Sequence, residues 1–333
     1  MIERRLWHPV VLADQVRDAP LAVRLLGEDL VLWRDEAAAV HAWADRCPHR
    51  GAQLSLGRVV ACEGGGASLE CPYHGWRFEA GGRCTRVPAL PDFVPPATHR
   101  VTAHAACEAQ GLVWVRLEAA EAGDEAPPAF AAEDDPRLRK LNCGPYEVET
   151  SAPRLVENFL DMAHFGFVHE GWLGARGMAA IDDYRVEPTP RGLLATGCKA
   201  WQPQSTVHST APAQVEYGYE VMAPYAAVLT KVPEAASVGI DDYRESIALY
   251  ICPVDPERSR VWFRFATADF ERDDAALRAF QDTIFLQDKP VLESQRPRRL
   301  PLDLRAELHT VADKASSLYR RHLKTRGITF GVC

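Results

Sequence analysis

Cys47, His49, Cys71 and His74 have the types and spacing to hold metal: they fall in C-P-H-R-G-A at 47–52 and C-P-Y-H-G-W-R-F at 71–78. Two thiolates and two imidazoles suit either a tetrahedral zinc or a 2Fe-2S cluster in which the cysteines hold one iron and the histidines the other. A zinc finger keeps its cysteines together and its histidines together. Here each half carries one of each, which suits the cluster. Pro48, Gly51, Pro72 and Gly75 let two tight loops approach with backbone N–H groups turned toward sulfur, and Gly81, Gly82 and Pro88 supply a covering third loop. Imidazole ligation sets such a cluster at roughly −150 to +300 mV, within reach of a flavin or ferredoxin donor.

A second group lies in E-N-F-L-D-M-A-H-F-G-F-V-H at 157–169. Read as one helix over 153–165, the segment sets Asn158, Asp161 and His164 a turn apart on a polar stripe, with Leu155, Phe159, Met162 and Ala163 turned mostly into core. Gly166 then stops the helix, and His169 folds back beside His164. Two neutral imidazoles and a carboxylate on one face of a ferrous ion leave neighbouring positions open for O2 and water.

These residues need a scaffold, and a chain of 333 residues suggests two domains. With 47% hydrophobic and 25% charged residues it has the makings of packed cores and not of a disordered tail. The net charge of −8 excludes a sequence-independent grip on nucleic acid. No apolar run is long enough to span a membrane, and residues 1–9 carry charge where a signal peptide would be apolar, so the expectation is cytoplasmic. Nine cysteines, an odd number along a long chain, argue against a disulfide framework. The seven outside the two loops are expected to be small buried residues.

Short alternating segments at 21–26, 29–33, 40–44 and 111–117 predict an all-β domain over 1–117. An acidic, Ala- and Pro-rich linker follows at 118–136. Residues 137–333 read as α+β, with antiparallel strands at 193–201, 214–222, 247–252 and 260–268 and helices at 153–165, 274–286 and 303–324.

The paired loops resemble the Rieske motif of ring-hydroxylating oxygenases, and D-x-x-H-x-x-x-x-H at 161–169 resembles the iron motif of their catalytic domains. One departure is the interval 50–70 between His49 and Cys71, longer than usual, with Gly64, Gly65 and Gly66 in a lengthened hairpin loop. The resemblance implies an N-terminal Rieske 2Fe-2S domain and a helix-grip, START-like catalytic domain. It makes Cys47, His49, Cys71 and His74 the cluster ligands and His164 and His169 iron ligands. The third iron ligand comes from far downstream in that family, where F-L-Q-D-K-P-V-L-E-S-Q at 285–295 nominates Asp288 over Asp273, Asp274, Asp282 and Glu293. The resemblance gives Asp161 a bridging role, hydrogen-bonded to an iron-ligating histidine and to a cluster-ligating histidine of the adjacent subunit. Asn158 resembles the monooxygenase and demethylase branch, where an Asn lies beside the iron without firm ligation.

The implied function is that of a terminal oxygenase, homotrimeric, with mononuclear Fe(II), O2 as co-substrate, and electrons drawn from NAD(P)H through a flavin/iron–sulfur reductase or ferredoxin. It would hydroxylate or oxidatively demethylate a small, aromatic organic substrate. Cis-dihydroxylation of an arene is the alternative among enzymes, and a non-catalytic Rieske electron carrier with a ligand-binding domain the alternative outside them. Trp7, His8 and Pro9 read as a buried anchor. His99, His104, His208, His309 and His322 lack partners at ligand spacing. Lys231, His208 and Arg244 are expected on exposed strands or loops, and R-P-R-R at 296–299 as a solvated turn.

Overall fold

The structure, a computed structural model, describes every residue except 63–64, 121–122, 124, 205, 207–208, 210 and 235–243. The chain divides into two compact units, Glu3–Pro127 and Pro128–Cys333, the second joined by Met1–Ile2.

The first unit is all β. Its strands are β1 (His8–Leu12), β2 (Leu21–Leu25), β3 (Glu28–Arg34), β4 (Val40–Ala44), β5 (Arg58–Ala61), β6 (Ala67–Glu70), β7 (Arg77–Glu79), β8 (Cys84–Arg86), β9 (Ala103–Ala109) and β10 (Leu112–Arg116). They form a six-stranded sheet in the order β1-β10-β9-β4-β3-β2 and a four-stranded sheet in the order β5-β6-β7-β8. Two hairpins close through Leu26–Gly27 and Gln110–Gly111, all four residues at positive φ. That mirror-image turn matches the right-handed twist of its strands. Val31, Trp33, Trp43, Leu69 and Phe78 form a buried core, and Cys47 and Cys71 are part of it. The N-terminal anchor is as expected, since His8 is buried with its Nε2 on Glu3 O at 2.8 Å.

The second unit is α+β. Strands β11 (Arg139–Val148), β12 (Arg185–Pro188), β13 (Leu193–Gln202), β14 (Ala213–Ala223), β15 (Ala226–Pro233), β16 (Glu245–Asp255) and β17 (Arg258–Thr267) make one antiparallel sheet in the order β11-β17-β16-β15-β14-β13-β12. Alternation is clearest in β14, where Val215, Tyr217, Tyr219 and Val221 are buried and Glu216 and Glu220 exposed. Helices α1 (Ala152–Leu160), α2 (Phe165–Val168), α3 (Asp274–Ser294) and α4 (Lys314–Arg326) complete the unit. Among the described residues no helix is long and apolar enough to cross a membrane.

Three helix expectations need correction. The helix predicted over 153–165 ends at Leu160: Asp161 takes extended backbone, and its carboxylate accepts the Ala163 N–H at 2.7 Å. A side chain that bonds backbone two residues on competes with the helical ladder. Helix α3 starts where expected, with Asp273 capping Ala276 N at 2.8 Å, but runs on past Leu286 through Pro290 to Ser294. The helix predicted over 303–324 begins only at Lys314, because Asp303 bonds the Arg305 N–H at 3.0 Å and Thr310 and Asp313 form a capping box.

Candidate functional site

The two cysteine loops are built alike. Cys47 N–H donates to Ala52 O at 2.8 Å and Gly51 N–H to Cys47 O at 2.9 Å; Cys71 N–H donates to Trp76 O at 2.8 Å and Gly75 N–H to Cys71 O at 3.1 Å. Gly51 and Gly75 take φ of +74° and +69°, the left-handed region that such a turn requires and glycine enters freely. Both cysteines are buried, while His49 is half-buried and His74 exposed. The two imidazoles stand with ring centroids 4.6 Å apart. His49 stacks on Trp76 at 4.5 Å, and Trp76 on His99 at 5.5 Å, which gives His99 a packing role. Pro88 covers the second loop, its Cγ 3.1 Å from where a Cβ on Gly75 would lie.

Burial pushes the Cys47 thiol up to about 12; the backbone N–H groups of His49 and Arg50 oppose this, and the neighbouring Cys71 thiol adds to it. Two thiols inside, two imidazoles outside and N–H groups aimed at sulfur are the donor set of a Rieske cluster. In the lengthened β5–β6 hairpin, Cys62 N–H bonds Gly66 O at 2.9 Å and Gly66 N–H bonds a Glu36 carboxylate oxygen at 2.8 Å; Gly64 lies outside the described residues.

In the second unit, the break after α1 gathers the other group. His164 precedes α2 and His169 caps its end, with the His169 N–H on Phe165 O at 3.2 Å. Gly166 does not stop a helix. It lies inside α2, where a Cβ would come within 2.9 Å of Ala175 O. His164 Nε2 and His169 Nε2 are 3.2 Å apart, and Asp288 Oδ1 from α3 lies 3.5 Å from the first and 3.3 Å from the second. Asn158 Nδ2 donates to the same Asp288 oxygen at 3.3 Å.

Each ring's other nitrogen meets an acceptor: His164 Nδ1 is 3.1 Å from Asp161 Oδ2, and His169 Nδ1 is 2.8 Å from Gln287 Oε1. A proton held on each Nδ1 leaves both Nε2 lone pairs pointed at one another and at a carboxylate. Such a cluster of acceptors repels itself unless a cation sits among them, and two imidazoles with one carboxylate are the ferrous facial-triad set. Burial lowers the pKa of His164, but the Asp161 hydrogen bond and the charges of Asp288 and Asp161 overcome this and raise it, a field that favours positive charge here. Burial likewise pushes the Asp161 carboxyl up, and His164 with the backbone N–H groups of Ala163 and His164 brings it below its ordinary value.

The rival carboxylates are all engaged elsewhere. Asp273 caps α3, Asp274 pairs with Arg139 and Arg278, Asp282 accepts from the Tyr146 hydroxyl, and Glu293 takes the Glu149 N–H. Gln287 was not found from the sequence, although it stands beside Asp288 inside the quoted segment.

The triad lies on the wall of a cavity whose apolar lining includes Phe159, Tyr219, Ile247, Phe263 and Phe285. Leu155 is buried in the core as expected and Phe159 is half-buried, and both face this cavity together with Asn158. The Tyr219 hydroxyl is buried there without a hydrogen-bond partner among the described residues. Lys231 is also corrected: it is 4% exposed and lines the cavity, because its inward register on β15 sets it opposite Glu245. Arg244 is exposed and paired with Asp135, Arg298 and Arg299 pair with Glu149 and Glu257, and His208 lies outside the described residues.

Residues 6–102 match the Rieske 2Fe-2S domain, and residues 148–326 the vanillate O-demethylase oxygenase C-terminal domain. The chain therefore belongs to the Rieske oxygenases, as an α subunit with a catalytic half of the vanillate O-demethylase type. It is 35% identical over 336 residues to methylxanthine N1-demethylase NdmA of Pseudomonas putida, covering 96% of this chain and 88% of that one. Methylxanthine N3-demethylase NdmB of the same organism is 32% identical over 326 residues, with the same shares covered. The solved structure of Pseudomonas putida CBB5 NdmA with caffeine matches at a TM-score of 0.81 and 32% identity, over 96% of this chain and 90% of that one. The protein is an oxidoreductase that carries a Rieske cluster and a mononuclear iron and works on electrons supplied by a reductase.

Proposed function

We propose that the protein is the terminal oxygenase of a multicomponent system in the cytoplasm, passing electrons from NAD(P)H by way of a reductase or ferredoxin to O2, and hydroxylating or oxidatively demethylating a small aromatic molecule. The observation that carries this reading is the convergence of His164 Nε2, His169 Nε2 and Asp288 Oδ1 on the wall of an aromatic-lined cavity. A mere electron carrier has no use for metal ligands facing a cavity. When bound, the cluster supplies electrons singly and the iron a site for reductive O2 activation.

The side chains divide the work. Cys47, His49, Cys71 and His74 hold the cluster, and His164, His169 and Asp288 hold the iron. Asp161 and Gln287 keep the ring protons on Nδ1, which orients each imidazole and raises its basicity. Asn158 steadies Asp288 from the side without ligating. The apolar walls keep bulk water from the reacting carbon. Asp161 is 34% exposed at its side chain, which leaves its carboxylate room to accept a second hydrogen bond. In a homotrimer packed head to tail, that bond comes from the adjacent subunit's cluster-ligating histidine, and Asp161 is the bridge.

In the demethylation, one oxygen atom enters a methyl C–H bond and the other leaves as water, with two electrons from the reductase and two protons from solvent. The hydroxymethyl group then departs as formaldehyde. The test is NAD(P)H-dependent O2 uptake with a supplied reductase, with product analysis across N-methyl heteroaromatics, methoxy-aromatics and plain arenes. Formaldehyde in step with O2 supports the reading, and a cis-diol moves it to the dioxygenases. Unaltered product formation by His169→Ala sinks it.

A further inference from the structure

Helix α1 presents two working faces. One carries Leu155, Asn158 and Phe159 onto the cavity, with Asn158 Nδ2 on Asp288 Oδ1 at 3.3 Å. The other is gripped by a network of charges. Arg320 on α4 forks onto Glu157, Nε to Oε1 at 2.6 Å and one Nη to Oε2 at 2.8 Å, and its other Nη donates to Pro301 O at 3.0 Å. Arg154 forks onto Glu307 at 2.6 and 3.1 Å and reaches Pro297 O at 3.0 Å, and Arg320 donates to Glu307 as well. The two arginines are 3% and 1% exposed. Burial pushes the Glu307 carboxyl up, yet the hydrogen bonds from Arg154 and Arg320 bring it below its ordinary value, so the network stays charged.

Ion pairs taken out of water add little net stability, but a bidentate fork fixes direction as well as distance and so specifies one arrangement. We infer that Glu157 and Arg320 are positioning residues that set the rotation of α1 about its axis and so aim the Asn158 amide at Asp288; their bearing on iron rests on the reading of Asp288 as a ligand. Consecutive helical residues point about 100° apart, so a fixed Glu157 fixes the direction of Asn158. A side chain ends about 5 to 6 Å from the helix axis, and a rotation of about 10° carries its tip about 1 Å. The Asn158 bond is already 3.3 Å long, and about 1 Å more breaks it. The grip on one face of the helix thereby decides whether the carboxylate beyond its other face is steadied.

The test is a double-mutant cycle of Glu157→Gln and Asn158→Ala, read by anaerobic Fe(II) titration of full-length protein that keeps its cluster and has been freed of mononuclear iron by chelation. Each single variant should bind Fe(II) about tenfold more weakly, the lower end of what an outer partner of a metal ligand contributes. The double variant should be no weaker than Asn158→Ala alone, within about twofold, because Glu157 acts through Asn158. A role confined to holding the fold would multiply the two losses, and that result overturns the inference. Crystals of metal-free Glu157→Gln give a second readout: the Asn158 amide should lie beyond about 3.5 Å from Asp288, and an amide still within hydrogen-bond reach overturns the inference too. Should Glu157→Gln fail to fold, Arg320→Lys, which keeps the charge but not the fork, takes its place with the same deciding outcomes. A displaced amide with wild-type Fe(II) affinity leaves the positioning role standing and counts against Asp288 as an iron ligand instead.

Discussion

Gln287 Oε1 lies 2.8 Å from His169 Nδ1, while the very next residue, Asp288, sets Oδ1 3.3 Å from the Nε2 of the same ring. Consecutive residues of one helix thus address both ends of a single imidazole. Gln287→Leu removes the acceptor that fixes the tautomer, and iron affinity should fall by about 10- to 100-fold with the cluster untouched. Gln287→Glu restores an acceptor and should recover most of the loss. Iron titration of both variants decides it, and equal affinity in Leu and wild type would show that Gln287 has no such part.

Loss of either cluster imidazole opens an iron to solvent. His49→Ala and His74→Ala should each abolish the Rieske-type EPR signal of the reduced protein, while the fold, judged by circular dichroism, persists. A normal signal in either variant removes that residue from the ligand set.

Asp288→Ala should strip the mononuclear iron and leave the cluster spectrum intact, with turnover lost. Metal analysis beside the visible spectrum reads both at once. Full iron and full turnover would move the carboxylate role to another residue.

Asp161→Asn keeps the shape and one acceptor of Asp161 but not its charge. Both metal sites should survive and steady-state turnover should nearly vanish. Cluster reduction by the donor should run at the normal rate, while reoxidation by O2 with substrate present slows by orders of magnitude. Stopped-flow traces and iron content from one preparation are needed together. Normal reoxidation, or loss of the mononuclear iron alone, would assign Asp161 some other task.

His8 offers a test away from any metal ligand. Burial lowers its pKa from 6.5 to about 4, with the Glu3 carbonyl and carboxylate working the other way. Folded protein therefore holds His8 neutral where unfolded chain has already taken a proton. Its contribution to stability is complete above pH 6.5 and is lost as the pH falls toward about 4. The slope is about 1.4 kcal/mol per pH unit, or about 3 kcal/mol over the window. Thermal denaturation of wild type and His8→Gln across that range should show the wild type losing its advantage as acid is added. Parallel curves would mean that His8 is not held neutral.

The strands that sequence reading named are present because alternation is local: 40–44 is β4, and 193–201 lies within β13. It named residues that the structure brings together because motif spacing survives a wrong local conformation. The predicted helix stops short of Asp161, yet the residues assigned to it still meet, since the Asp161 side chain turns the chain toward α2. Lys231 escaped because single-strand pattern carries no information about the opposite strand. Only the β15–β16 register reveals that Glu245 stands across from it and makes its burial tolerable. Gln287 escaped for a related reason: its use depends on where His169 lands.

Helix α3 carries Gln281 and Phe285 on the cavity wall and Asp288 among the metal-site residues, and all three are buried on one stripe. Gln281 and Asp288 are two turns apart, about 10 Å along a stiff rod. A guest that fits badly against the upper turns cannot be accommodated there in isolation; it tilts or slides the whole rod, and the carboxylate moves with it. The helix is in effect a gauge as well as a wall, so ill-fitting molecules should waste reductant, consuming O2 without being oxidised themselves.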